Sequence, residues 1–174
     1  LVSYDLSNAG RAKKVDQHFF SGGQKSLSAS DVSFISMSGT AYVGFSAGSG
    51  ASFLAQSLQP DGSIGAAKAI TGFQQGSGPV STLVQTKLGQ DTFLYGANSA
   101  GAGIKTYRFE ESVKFLGSAS IKDTTASYAA GIIDLATCTI GQNKLVLAVS
   151  GQEHGVSSYL INASSGALTL ASSL

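Results

Sequence analysis

Tryptophan is absent, and the chain has one cysteine, one methionine, two prolines and two histidines in 174 residues. A single cysteine, Cys138, excludes an internal disulfide and any multi-cysteine metal centre. Charge is scarce as well: Asp, Glu, Lys and Arg make up 12% of the residues, about half the usual share. With 11 basic and 10 acidic side chains the net charge is +1, which argues against a nucleic-acid binder and its concentrated basic face. No apolar run reaches the roughly 18 residues a membrane helix needs. No segment keeps a 3.6-residue apolar period, so no helix is expected.

What is present is glycine (22 residues), serine and short apolar runs, with 43% hydrophobic residues in all. That is enough for a core and argues against disorder. A Ser/Gly-rich, low-charge surface is common in exported bacterial β proteins, so a secreted or extracellular location is expected. The chain starts at Leu1 inside an apparent strand, which reads as a processed or excerpted chain.

The chain repeats. The segments starting at Ser38 (SGTAYVGF), Gly89 (GQDTFLYG) and Gly141 (GQNKLVLA) each join a polar turn to an apolar run, and they start 51 and 52 residues apart. A second marker keeps the step: Tyr4, Gln56, Tyr107 and Tyr159 are spaced 52, 51 and 52. Each unit reads as four strands. In the last one these are 131–140, 144–150, 156–161 and 167–174, separated by turns at Gly141, Gln152–Gly155 and Asn162–Gly166. The turn Gln59-Pro60-Asp61-Gly62 has the same place in the first full unit.

Four antiparallel strands repeated at 40–50 residues is the signature of a β-propeller. A blade cannot bury both faces alone, so its neighbours must cover it. The expected division is a partial blade at 1–25 and full blades at 26–73, 74–123 and 124–174, with strands a to d running from the inside out. That makes three and a half blades, so the remaining blades are expected from the same polypeptide or a second chain. The bare apolar faces of an open arc would otherwise be an aggregation hazard.

The stretches QPDGSIGAA, SDVSFISMSGTAYVGFSA and, most specifically, GQEHGVSSYLINASSGALT resemble lactonase-type (YVTN-like) seven-bladed propellers. The likeness is strongest to propeller regions of large secreted proteobacterial proteins that also carry calcium-binding RTX repeats. The glycine-rich nonapeptides of those repeats are absent here. The resemblance implies either a non-catalytic binding or structural module or, as the alternative, a lactonase- or cyclase-type enzyme acting on a sugar lactone or related small molecule.

The repeat places Asp31, Thr82 and Asp134 at one equivalent position near the start of strand a, at the channel mouth. Carboxylates from successive units pointed at one axis make Asp31 and Asp134 a candidate weak site for a divalent cation such as Ca²⁺. The competing expectation, which is preferred, is that each Asp accepts backbone N–H bonds at its own turn. Glu153 and His154 fall in a b-to-c turn on the same face, as a candidate acid–base pair or as solvated surface. His18 is expected to be structural. Arg11, Lys13 and Lys14 form a basic cluster at the outer rim, expected to be solvated or to protect an edge. Cys138 reads as a small buried apolar side chain rather than a nucleophile. No HExxH, phosphate loop or EF-hand run occurs, and no GxSxG nucleophile elbow, which turns from a strand into a helix, is expected.

Overall fold

The computed structural model describes residues 2–6, 11–17, 32–37, 39–46, 53–70, 80, 82–109 and 115–174. All regular structure among them is β-strand, and none of it is a helix long and apolar enough to cross a membrane. Strands β1 (Val2–Asp5) and β2 (Lys13–Gln17) form a two-stranded sheet. The first four-stranded sheet is the meander β3 (Val32–Met37), β4 (Thr40–Ser46), β5 (Phe53–Leu58) and β6 (Ile64–Ile70). The second is β7 (Thr82–Leu88), β8 (Asp91–Ala97), β9 (Ile104–Phe109) and β10 (Phe115–Ile121). The third is β11 (Ile132–Ile140), β12 (Asn143–Ser150), β13 (Gly155–Ile161) and β14 (Leu168–Ser173). Every pairing is antiparallel between chain neighbours. In the third sheet each strand begins and ends within one residue of the span expected from the sequence.

Turn chemistry sets these boundaries. The hairpins Leu88–Asp91 and Ile140–Asn143 each leave two residues in the loop, with Gly89 (φ 61°) and Gly141 (φ 62°) first. Positive φ at the first central residue alone is the type II′ geometry, which matches strand twist and favours glycine there. The third-to-fourth-strand turns are closed differently. The Gly62 N–H donates to the Gln59 carbonyl at 2.8 Å, and Asp61 Oδ1 accepts from the N–H and hydroxyl of Ser63. Those two bonds hold the Asp61 carboxyl below its ordinary range, the hydroxyl contributing most. In the third sheet the Gly166 N–H donates to the Asn162 carbonyl, and Asn162 Oδ1 accepts from the N–H groups of Ser164 and Ser165.

Packing occurs between sheets. Ile35 of the first sheet joins Val80, Leu83, Leu94, Tyr107 and Phe109 in one core cluster, with Tyr42 against it. A second cluster joins Phe93, Tyr95, Ala97 and Ile104 of the second sheet to Ile132, Leu135, Val146, Ala148, Tyr159 and Ile161 of the third. Strand β8 therefore has its side chains buried on both faces from Thr92 to Ala97, and it reads as an unbroken apolar run for that reason. Of the four sequence markers, Gln56, Tyr107 and Tyr159 are fully buried at corresponding places on β5, β9 and β13, whereas Tyr4 on β1 is 56% exposed.

One sheet is also bolted to the next by a polar contact. The Tyr95 hydroxyl donates to the Gly166 carbonyl at 2.9 Å, and burial pushes its phenol well above the ordinary range, so it remains a donor at all working pH values. Gly166 (φ 67°) lies against the ring of Phe93, and a Cβ there would collide with it, whereas a Cβ at Gly141 would meet nothing within 4 Å.

These two glycines predict different costs for the same substitution. Gly141→Ala should lose about 1–2 kcal/mol, the price of a left-handed backbone for a residue with a Cβ. Gly166→Ala adds displacement of a buried ring and should lose roughly 3 kcal/mol or more. Chemical denaturation of both variants checks the order. Equal losses would show that the Phe93 contact contributes nothing.

Candidate functional site

Of the residues singled out by the sequence, Thr82 and Asp134 lie near the starts of the first strands of their sheets, and Glu153 and His154 lie in a second-to-third-strand turn. Asp31 and His18 lie outside the described residues. Thr82 opens β7 and is buried. Asp134 is the third residue of β11, displaced by a bulge that leaves it paired with Val149, and it is exposed. Strand β11 is an edge strand, so one row of its N–H groups has no partner within its own sheet.

The Leu135 N–H finds two acceptors. It donates to Thr82 Oγ1 at 3.2 Å, across from the second sheet, and to Asp134 Oδ1 at 2.8 Å. Thr82 and Asp134 are thus brought together as joint acceptors for one buried backbone donor. The Lys144 ammonium donates to the Lys87 carbonyl at 2.6 Å across the same seam, and between the first and second sheets the Gln85 side chain accepts the Ser36 N–H at 3.0 Å.

Glu153 and His154 fall in the turn between β12 and β13. Glu153 Oε2 accepts the Ala130 N–H at 2.9 Å, and its own N–H donates to Ser150 Oγ at 2.9 Å. The Ser150 hydroxyl in turn donates to the Ala130 carbonyl, so both polar groups of Ala130 are held by this turn. The neighbouring turn of the second sheet joins in. The Gly131 N–H donates to Gly101 O at 2.8 Å, the Gly103 N–H to Ala129 O at 2.6 Å, and the Gly151 N–H to Gly131 O at 3.0 Å. His154 is exposed at φ 56°, a left-handed position that histidine tolerates better than most residues. Its neighbour Glu153 is turned to the backbone of the linker rather than to it.

A polar group that the sequence reading passed over lies beside this knot. Asp123 Oδ1 accepts the Ala129 N–H at 3.0 Å and the Ser127 hydroxyl at 3.3 Å, and Ser157 Oγ accepts the Tyr128 N–H at 2.9 Å. Beneath it the Tyr159 hydroxyl is buried among Ser127 and Ser157 without a hydrogen bond of ordinary geometry to either. Burial above all raises that phenol's pKa. The Asp123 and Glu153 charges add to the rise, and the two serine hydroxyls oppose it. It stays protonated and neutral. The run Asp123-Thr124-Thr125-Ala126-Ser127 was the readable signal, a cluster of local capping residues just before an apolar strand.

The remaining candidates are peripheral. Arg11, Lys13 and Lys14 are exposed, with the Lys14 ammonium donating to Gln17 Oε1 at 3.1 Å. Cys138 is a free, half-buried thiol on β11 opposite Leu145. Among the described residues no three or more His, Cys, Asp or Glu side chains are grouped so as to hold a metal ion. Asp134 is the one carboxylate described at the expected cation position, and it already accepts a backbone N–H. No protein-family model matches the chain, and no curated protein is detectably similar to it.

Two substitutions and their combination test the joint-acceptor arrangement. Thr82→Val and Asp134→Ala should each cost about 0.5–1 kcal/mol, because the Leu135 N–H keeps one acceptor in either variant. Together they leave it with none, and the double variant should exceed the sum by about 1 kcal/mol. A double-mutant cycle in urea gives the coupling, and strict additivity would refute the shared donor. Glu153→Ala should cost about 1–2 kcal/mol by orphaning the Ala130 N–H, and Glu153→Gln clearly less, since its amide oxygen still accepts.

Proposed function

We propose that the sheets are blades of a lactonase-like β-propeller and that the chain is a non-catalytic module, binding or structural, of a larger exported bacterial protein. The rest of the ring comes from further repeats of the same polypeptide or from a second chain. The observation that supports this reading most is the occupation of the candidate groups. Thr82, Asp134 and Glu153 all accept backbone N–H bonds at the seams between sheets. Side chains that join neighbouring sheets and linkers are scaffold, and a rigid stack of sheets presenting turns on one end suits recognition. Fold alone does not assign an activity, so the argument lies in how these residues are used.

Calorimetric titration of the chain with Ca²⁺, beside a hydrolysis assay on a panel of sugar lactones, tests the reading. The expected outcome is no saturable heat and no ring opening above buffer. Saturable Ca²⁺ binding lost in Asp134→Asn, or lactone hydrolysis lost in that variant, would overturn it in favour of the lactonase-type enzyme.

A further inference from the structure

The repeat marker carries a polar tip in every unit, as Tyr4, Gln56, Tyr107 and Tyr159. At Tyr159 that tip lies beneath the linker that leads into β11. The side chain is fully buried, and its hydroxyl makes no hydrogen bond of ordinary geometry among the described residues. A buried O–H without an acceptor is costly, and native structures leave few such groups unpaired.

The hydroxyls beside it do not meet the need. Ser127 Oγ takes the Thr124 N–H at 3.0 Å and lies 3.1 Å from the Thr124 hydroxyl. It also lies 3.3 Å from Asp123 Oδ1 and 3.3 Å from the Thr124 carbonyl. A hydroxyl has one proton and two lone pairs, so this one is fully used within its own turn. Ser157 differs. It is fully buried, its Oγ accepts the Tyr128 N–H at 2.9 Å, and its own proton is still to be placed. A bond between the Tyr159 and Ser157 hydroxyls would use one of the two protons and leave the other without an acceptor.

The acceptors that remain are carboxylate oxygens. Asp123 holds the Ala129 N–H through Oδ1, and Glu153 holds the Ala130 N–H through Oε2, so each has a second oxygen beyond that bond. The phenol feels both charges although neither carboxylate bonds to it.

We propose that one water molecule is bound inside this knot, accepting from the Tyr159 and Ser157 hydroxyls and donating toward the Asp123 and Glu153 carboxylates. Two lone pairs and two protons match two donors and two acceptors, and a buried water makes about three such bonds. A cation supplies no lone pair and leaves both hydroxyl protons unplaced. The water ties the linker before β11 to β13, which is the third sheet's own joint to the chain that enters it. The proposal follows from hydrogen-bond accounting around Tyr159, not from the module's function, and the two fail separately.

Room-temperature crystallography of the chain at high resolution is the test. The expected result is a water peak about 2.6–3.0 Å from both Tyr159 Oη and Ser157 Oγ. Tyr159→Phe keeps the ring and leaves Ser157 and both carboxylates in place, and it should lose most of that peak. Direct contact of Tyr159 Oη with a protein acceptor, with no water between them, would overturn the proposal. So would a peak unchanged in the Phe variant, because the phenol would then not be what holds the water. If the variant yields no crystals, the presence or absence of the wild-type peak decides alone.

Discussion

A four-stranded antiparallel sheet has two faces, and when both are apolar neither water nor its own strands can cover them. Strand β8 is the clearest case, with buried side chains on both sides from Thr92 to Ala97. It is stable because Leu94 packs toward Ile35 of one neighbour while Phe93, Tyr95 and Ala97 pack toward Ile132, Val146 and Tyr159 of the other. Each apolar side chain removed from water in this way is worth about 1.5–3 kcal/mol, so the stack rather than the single sheet is the unit of stability. The low charge of the chain follows. A sheet buried on both faces has few positions left for ions, and the described Arg108–Asp91 pair lies at the exposed end of its hairpin.

Stacking by apolar contact alone does not fix how one sheet sits on the next. The polar ties do that. Tyr95 to the Gly166 carbonyl, Thr82 to the Leu135 N–H and Ser3 to the Gly62 carbonyl each connect a side chain of one sheet to backbone of another. They use backbone groups that edge strands and turns would otherwise leave without partners, which is where a buried loss costs most. Glu153, Ser150 and Asp123 serve the linker before β11 in the same manner. Residue types common in active sites are thus employed here to hold the chain's own backbone.

This use separates two meanings of a repeated carboxylate position. A position that recurs at every unit can be a ring of ligands or a recurring structural joint. At Asp134 the bulge that interrupts pairing after Ile132 brings the carboxylate onto the next residue's N–H, the contact a structural joint makes. The sharing of that N–H with Thr82 gives the equivalence between the two positions a physical content that differs from cation binding.

Strand positions, turn types and the repeat step were legible in the sequence because they are local. A period of two in β13, glycine at the first position of a two-residue turn and capping residues such as Asp61 and Asn162 act within a few residues of themselves. The markers Gln56, Tyr107 and Tyr159 announced a common role, but not that the role was full burial, nor that Tyr107 and Tyr159 pack toward the preceding sheet. That depends on which face of one sheet meets which face of another. The partners of the candidate residues were equally out of reach, since Glu153 bonds Ala130 from 23 positions away and Thr82 meets Leu135 from 53. Periodicity fixes which side of a strand a residue occupies, whereas the atom it meets is decided by sheets whose contacts join residues far apart in the chain.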